Sequence, residues 1–488
     1  MNSKEENATH TTVNPTTVFQ NFAYALPKFP TYILLTGPGA VMPGIYAKYF
    51  GLTLAAIGTA KLLSRVFDGI TDAVIGYVSD HCQSRFGSRK PMIVIGAVLM
   101  LIAATMLYIP YGWHPEQTEP ISFAYYLFFY LLFTLAWTVF EVPHLAWGAD
   151  ISSDAKGRSQ RFSFRSMMTY GAPFVFFLIP FLPIFDTTEV TPETLKAVVY
   201  LAWALAPICL WIAMRYVPNA PSGVAQAAQA LESQAPVDPA AQVLSKTQGF
   251  KQRLKKEARV IFANRPLLFF YVAFALKAFA YVMSSVLTYF YIDNYLGLLE
   301  KLPIVFLVHN GAAVCASWFW GRIAQKVGAR LTWILGLAMC VLGLLGIGLL
   351  EPGEASFYPY LLCKVLIGAG SISSYVGGFM VLANIADYGK WKFDQECSGI
   401  YFAWQMTITK LAGAVGIAVG LFLAEWLGFD AKAEVMTDAA VWALLLPYIG
   451  LPIILYILAI MVASRIPLSA QQHTVVRERL DAKVLKAS

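Results

Sequence analysis

Four polar side chains lie within an otherwise apolar stretch near the N-terminus, KLLSRVFDGITDAVIGYVSD. Asp68 and Asp72 are four residues apart and Thr71 lies between them, so a helix would direct their oxygens to one side. Two carboxylates and a hydroxyl suit a hard cation such as sodium. In hydrocarbon the carboxylates would repel each other, and a bound sodium ion or proton would relieve that repulsion. A static ion pair with Arg65 is the alternative, but it leaves Asp72 unexplained.

A lysine in the middle of a later apolar stretch also requires a partner. Lys410 lies within TITKLAGAVGIAVG, too far from either end for its ammonium to reach water easily. A buried ammonium needs a negative partner, and Asp68 and Asp72 are natural candidates. A fixed interhelical salt bridge is the alternative. Glu141, two residues before Pro143, places a further carboxylate near a proline that can leave a backbone carbonyl free.

The composition of the chain is that of a membrane protein. Of its 488 residues, 58% are hydrophobic and 13% are charged, whereas soluble chains contain about 25% charged residues. Apolar stretches of about 20 residues, enough to cross a bilayer core, recur along the chain. They predict twelve transmembrane helices, over 20–48, 52–79, 90–111, 121–147, 166–184, 195–217, 264–295, 302–324, 330–350, 357–385, 399–426 and 440–464.

A polar segment divides these spans into six and six. It is rich in Ala, Gln, Pro and Ser, and it ends in a basic amphipathic stretch, KQRLKKEARVIF, which is expected to lie on the membrane surface. Similar glycine and basic residues follow the second and eighth spans, and two related halves suit alternating access. The predicted organisation is a cytoplasmic tail 1–19, a six-helix bundle 20–217, a cytoplasmic linker 218–263, a six-helix bundle 264–464 and a cytoplasmic tail 465–488.

The distribution of charge predicts orientation and excludes some functions. Basic residues gather in alternate loops and acidic residues in the opposite loops, which predicts a multi-pass cell-membrane protein, in the inner membrane of a bacterium, with both termini cytoplasmic. Contact with anionic membrane lipids accounts for the net charge of +7 without a nucleic acid. The chain lacks catalytic motifs and metal-ligand spacing of its six cysteines, so we expect a monomeric non-enzyme with no cofactor besides a coupling ion.

Three motifs carry a resemblance to a known family. They are RVFDGITDAVIGYVSD with SRFGSRKP, then WTVFEVP, then ADYGKWKFDQECSGIYFAWQMTITKLAG. In this order and spacing the chain resembles the glycoside–pentoside–hexuronide cation symporters of the major facilitator superfamily, of which melibiose permease is the best-known member. The resemblance extends over nearly all spans. It implies an all-α polytopic membrane protein with the major facilitator fold in two six-helix halves, and sodium- or proton-coupled symport of a glycoside, sugar or hexuronide.

The resemblance also implies a cation site. Asp68, Thr71 and Asp72 are similar to the family's cation ligands, with Thr71 standing where melibiose permease has asparagine, and Thr138 matches a threonine ligand from span four. The change from asparagine to threonine leaves both sodium and proton coupling open. Lys410 resembles a lysine that couples the two halves beside this site, and Arg65 is assigned to coupling with it.

A substrate pocket is implied by the same resemblance. Glu141 aligns with a sugar-binding aspartate, Arg165 resembles an arginine that supports the pocket, and Tyr375 matches an aromatic residue of span ten. Trp137 is expected beside them, because aromatic faces stack on sugars. Sugar-transporting members have an acid in span one, whereas span one here contains neither Asp nor Glu and has Lys28 at about that place.

This difference leaves the small-molecule substrate open. Lys28 and Arg165 would favour an anionic substrate such as a hexuronide, or each would mark the cytoplasmic edge of its span. The alternative function is a cation-coupled carrier of an amphiphile such as a lysophospholipid. A membrane-embedded enzyme or scaffold is the third possibility.

Overall fold

The computed structural model describes residues 17–110, 121–151, 155–219, 263–393, 398–433, 436–468, 472–476 and 478–479. Every regular element of these ranges is a helix. The basic amphipathic stretch of the linker and most of both predicted tails lie outside the described residues.

Nine helices in the described ranges are long and apolar enough to cross a membrane. Three predicted spans are helical but less uniformly apolar. The first is divided into three short helices, and the second and fifth carry the charged residues singled out above. The number of twelve spans therefore stays a prediction.

The helices of the first half begin and end at residues suited to those positions. Pro27 and Pro43 mark breaks in the first predicted span, since proline cannot donate a backbone hydrogen bond. Thr53 caps the long helix that carries Asp68, and Gly87 ends that helix with φ of 67°, a conformation that favours glycine. The helices are α1 (Val18–Ala25), α2 (Lys28–Ala40), α3 (Met42–Lys48), α4 (Leu54–Phe86), α5 (Lys90–Tyr108), α6 (Phe123–Asp150), α7 (Ala155–Leu178) and α8 (Pro192–Tyr216).

In its described residues, the second half contains eight further α-helices and three short π-helical segments. A π-helical turn interrupts the regular hydrogen-bond ladder and is often found near functional sites. These segments are Tyr291–Tyr295, Ser374–Gly378 and Leu446–Gly450. The helices are α9 (Arg265–Phe290), α10 (Leu302–Val327), α11 (Ala329–Ile347), α12 (Phe357–Ser373), α13 (Phe379–Phe393), α14 (Ser398–Trp426), α15 (Asp438–Leu445) and α16 (Leu451–Ser464).

Helix α14 packs against α9 of its own half and against α4 of the first half. Glycine permits the contact with α9, because a Cβ atom at Gly416 would lie 2.7 Å from the Phe279 carbonyl oxygen. Towards α4, a Cβ at Gly58 would lie 3.6 Å from Ala418, an ordinary contact. Helices α4 and α14, which carry the predicted cation and coupling residues, are therefore neighbours across the interface between the halves.

Polar contacts also join the two halves at the end of the bundle that carries the acidic loops. Lys48 Nζ at the end of α3 donates to Asp293 Oδ1 at 2.9 Å. Thr188 Oγ1 donates to the Glu300 carbonyl oxygen at 2.9 Å. The carboxylate of Glu425, near the end of α14, accepts from a backbone amide at the start of α4. These contacts hold the halves together at that end.

Candidate functional site

The two carboxylates of α4 lie against α6. Asp68 has 7% of its side chain exposed and Asp72 has 34%. Thr138 Oγ1 lies 3.1 Å from Asp68 Oδ1 and 3.3 Å from Asp72 Oδ1, and its one proton can be donated to only one of them at a time. The side-chain oxygens of three residues thus surround one small volume, an arrangement that suits a hard cation.

Two cationic side chains face the same carboxylates. Lys410 Nζ of α14 donates to Asp72 Oδ2 at 2.8 Å and lies 3.6 Å from Asp68 Oδ2. Arg65 Nη1 lies 3.6 Å from Asp68 Oδ2, one turn earlier on α4. We call these four residues and Thr138 the carboxylate cluster. Its two negative and two positive charges balance, and the Lys410 side chain remains 53% exposed.

The Thr71 hydroxyl donates to the backbone of its own helix and not to these carboxylates. It donates to backbone carbonyl oxygens one turn earlier, at 3.0 Å to Phe67 and 3.2 Å to Asp68. Threonine in a helix often makes this local bond, since its short side chain reaches the preceding turn. The structure therefore brings Thr138 into the carboxylate cluster directly and leaves Thr71 beside it.

A second group of charged residues is centred on Glu141 of α6. Glu141 Oε2 accepts a hydrogen bond from Lys28 Nζ of α2 at 2.7 Å, and its Oε1 accepts from Arg165 Nη2 of α7. The Lys28 ammonium also lies 4.2 Å from the Trp137 ring centroid and 4.7 Å from that of Tyr32. We call these five residues the Glu141 cluster. Two cations against one carboxylate leave it with a net charge of +1.

Burial distinguishes the two interpretations of the basic residues in this cluster. A residue that anchors a helix at the membrane surface extends its charged end into water. Lys28 is 3% exposed and Arg165 is 7% exposed, and both point to Glu141. The Arg165 Nε atom is buried and has no hydrogen-bond partner within the described ranges. This geometry matches a polar pocket and not a surface anchor.

Helix α6 connects the carboxylate cluster to the Glu141 cluster. Thr138 and Glu141 are three residues apart, so their side chains lie one above the other on the same helix face. Trp137 lies beside them, with its ring 5.7 Å from that of Tyr32. If a ligand at one cluster displaced α6, the side chains of α6 in the other cluster would therefore move as well.

His144 lies close to Glu141 but has a structural environment. Its ring is fully buried and stacks on Tyr24 at 4.4 Å, and its Nε2 atom lies 2.9 Å from the Tyr24 backbone oxygen. The Tyr24 hydroxyl in turn donates to the His144 carbonyl oxygen at 2.8 Å. These reciprocal contacts hold α1 against α6.

Tyr375 belongs to the second half and lies apart from Glu141 in the chain, on the π-helical segment Ser374–Gly378. Its side chain is 49% exposed, and its ring meets Phe379 edge-on at 5.5 Å. Lys277 Nζ of α9 lies 5.1 Å from the centroid of the same ring. The Tyr375 ring therefore lies among residues of its own half, beside Lys277 and Phe379.

A cavity lies between the halves and has a volume of about 430 Å³. Tyr32 is shared between its wall and the Glu141 cluster, whereas the carboxylate cluster lies outside it. The polar residues of the second half that line the cavity were not predicted from the sequence. Lys364 is the one that the sequence could have indicated, because it is a charged residue within the apolar run YLLCKVLIGAG. The polar lining residues of the second half are Tyr281, Ser284, Ser285, Thr288, His309, Asn310, Lys364 and Tyr456.

A family model described as MFS/sugar transport protein matches residues 23–470. The chain belongs to this family. It is 21% identical to the inner membrane symporter YicJ of Escherichia coli, with 92% of this chain and 91% of that protein covered. It is 22% identical to the uncharacterized symporter sll1374 of Synechocystis, with 89% and 91% covered. A shorter match, 31% identical over 120 residues, covers 25% of this chain and 25% of the putative glycoside/cation symporter YagG of Escherichia coli.

Solved structures confirm the major facilitator fold for this family member. A D-xylose–proton symporter aligns with a TM-score of 0.59 at 13% identity, covering 92% of this chain and 96% of that chain. A bacterial homologue of the human lysosomal transporter Spinster, in an inward-facing conformation, aligns with a TM-score of 0.62 at 14% identity, covering 95% and 97%. The chain is therefore a multi-pass membrane protein of a transporter family. The amphiphile carrier that the sequence left open receives no support from these relatives.

Proposed function

We propose that this protein is a secondary active transporter, which moves a glycoside, sugar or hexuronide together with sodium ions or protons by alternating access. The observation that carries the proposal is the hydrogen bond from Lys410 of the second half to Asp72 of the first. Because of this bond, the carboxylates that we propose bind the cation contact the second half at the interface that must open and close during transport. The YicJ and YagG relatives, which are named as symporters, support the same function.

The balance of charge in the carboxylate cluster explains how a cation would act. Asp68 and Asp72 are neutralised by Arg65 and Lys410, so an added sodium ion or proton competes with Lys410 for the same oxygens. When the cation binds, Lys410 is released, and α14 loses its ionic link to α4. Cation binding thereby changes the contacts between the two halves, and this change provides the coupling.

The Glu141 cluster is suited to bind sugar hydroxyls beside the cation site. Glu141 can accept hydrogen bonds, the buried Arg165 Nε donor has no partner in the described ranges, and Trp137, whose ring lies 4.2 Å from the Lys28 ammonium, adds an aromatic surface. Because Thr138 and Glu141 share one face of α6, the cation that organises Thr138 would also raise substrate affinity at Glu141. Substrate must then raise cation affinity by the same factor.

The distribution of basic loops and the end of the bundle at which the halves are joined together indicate the membrane orientation and the conformational state. If the basic loops are cytoplasmic, the halves are joined at the external end, and the structure corresponds to an inward-facing state. Both termini are then cytoplasmic.

Uptake by reconstituted protein tests this function. Proteoliposomes loaded with potassium would be placed in sodium or choline buffer at two pH values, and the accumulation of radiolabelled glycosides and uronides would be measured. The Asp72→Asn variant removes one charge from the carboxylate cluster and is expected to abolish gradient-driven accumulation while retaining exchange. Asp430→Asn is the matched control, because Asp430 lies in a loop and accepts from the Lys432 backbone amide at 2.9 Å.

The outcomes are distinct. Accumulation that requires sodium or a proton gradient, and that is lost in Asp72→Asn but kept in Asp430→Asn, supports coupled symport. Accumulation by Asp72→Asn at the wild-type level would show that the carboxylate cluster does not bind the coupling ion. An absence of cation-dependent transport of any sugar would contradict the function itself.

A further inference from the structure

A buried lysine of the second half faces the cavity between the halves. Lys364 of α12 is 6% exposed, and its Nζ donates to Thr288 Oγ1 of α9 at 3.0 Å. The rings of Tyr360 and Tyr448 lie 5.4 Å and 5.5 Å from the ammonium. An ammonium has three donors, and one is used by Thr288. Among the lining residues within the described ranges, Lys364 is the only Asp, Glu, Lys or Arg.

A second lysine of the second half is also buried among aromatic rings. Lys277 of α9 is 3% exposed, and its ammonium lies over the rings of Tyr281 at 5.2 Å and Tyr375 at 5.1 Å. No carboxylate pairs with Lys277 or Lys364 in the part of the chain that the structure describes. Tyr281 lines the cavity, and its hydroxyl lies 3.2 Å from His309 Nε2.

The polar surroundings of the cavity therefore carry an excess of positive charge. In their protonated forms Lys364 and Lys277 each add a positive charge that has no carboxylate partner in the described ranges, and the Glu141 cluster adds a third because Lys28 and Arg165 oppose one carboxylate. The carboxylate cluster contributes no net charge. A buried charge without a partner is costly, and aromatic faces and one hydroxyl compensate it only in part. An anionic ligand in the cavity would remove this cost.

We propose that the transported substrate is a sugar with an acidic group, and that Lys364 binds this group while Lys277 adds to the positive field. The proposal rests on the proposed function, whose substrate class it narrows. The acidic group lies in the second half of the cavity, and the sugar ring extends towards Tyr32, which borders both the cavity and the Glu141 cluster. A carboxylate and a phosphate share the recognising chemistry, and the test separates them.

Binding to matched sugar pairs tests the assignment. Purified full-length protein would be titrated with 4-nitrophenyl β-D-glucuronide and 4-nitrophenyl β-D-glucoside, which differ in the acidic group, and with glucose 6-phosphate against glucose. Lys364 contributes a charge-assisted hydrogen bond, so we expect the wild-type protein to bind one acidic sugar at least tenfold more tightly than its neutral partner. The pair that shows this preference identifies carboxylate or phosphate.

Variants then assign the preference to Lys364. Lys364→Gln keeps a donor for Thr288 and removes the charge, so it should lose the tenfold preference through weaker binding of the acidic sugar. Lys364→Arg keeps the charge and should retain the preference. Lys61→Met is the matched control, because Lys61 is also buried, at 2% exposed, but donates to the Pro38 carbonyl oxygen outside the cavity wall. Thermal unfolding of each variant shows whether it is folded.

The outcomes separate this inference from the proposed function. Equal binding of neutral and acidic sugars by the wild-type protein, with cation-driven uptake intact, would overturn the acidic-substrate inference alone. An equal loss of affinity for both sugars in Lys364→Gln would show that Lys364 has a structural role. Binding of no sugar in any cation would overturn both proposals.

Discussion

Removal of the Lys410 ammonium should strengthen cation binding and abolish coupling. In the structure Lys410 occupies the carboxylate oxygens that a cation would need, at 2.8 Å from Asp72 and 3.6 Å from Asp68. A lysine that only held the halves together would have the opposite signature, because its loss would not favour a cation at the same oxygens. The Lys410→Met variant distinguishes these roles.

The size of the effect follows from the exposure of the ion pair. A hydrogen bond to a charged group contributes about 1.5–3 kcal/mol when shielded from water, and a surface ion pair contributes about 0–1 kcal/mol. The Lys410 side chain is 53% exposed, so the intermediate value of about 1.4 kcal/mol is appropriate, which corresponds to about tenfold in affinity. Lys410→Met should therefore bind sodium about tenfold more tightly in the absence of substrate.

Calorimetric titration with sodium in choline buffer measures this affinity. If the coupling ion is a proton, the proton affinity is measured instead, from the protons that the protein takes up or releases as the pH is changed. Proteoliposome uptake measures coupling, which should fall to the level of passive exchange. Lys301→Met is the control, since Lys301 is a partly exposed lysine whose own carboxylate partner, Glu354, lies 3.0 Å away, and both residues belong to short 3-10 helices. Unchanged cation affinity together with full accumulation in Lys410→Met would refute the competition between Lys410 and the cation.

Two further predictions concern the packing of α14 and the closed end of the bundle. Gly416→Ala would place a Cβ atom 2.7 Å from a backbone oxygen of α9 and should cost about 1–3 kcal/mol of stability, seen as a lower unfolding temperature in detergent. Gly311→Ala has open space and should leave this temperature unchanged. Asp293→Asn breaks the ion pair with Lys48 and should shift the population about fivefold towards the state open at the acidic end, for about 1 kcal/mol lost. Spin-label distances between α3 and α9 measure this shift, and an unchanged distance distribution would exclude a role for the pair in closure.

Local spacing in the sequence was sufficient to identify the candidate ion-binding residues. Asp68 and Asp72 share a helix face because they are four residues apart, and a charge within an apolar span is costly wherever it lies. The apolar spans and the three family motifs were likewise enough for the fold class and the family, which the comparisons confirm. These properties depend on residues close together in the chain, so they can be read without a structure.

The partners of these residues were decided by the tertiary structure. Lys28 meets Glu141 across 113 positions of the chain, and Lys410 meets Asp72 across 338. Hydropathy and helical period indicate that a buried charge needs a partner, but they do not predict which helices are neighbours. Lys364 shows the same limit, because only the tertiary structure, which brings Lys364 of α12 to Thr288 of α9, reveals that its ammonium faces a cavity without a carboxylate in the described ranges.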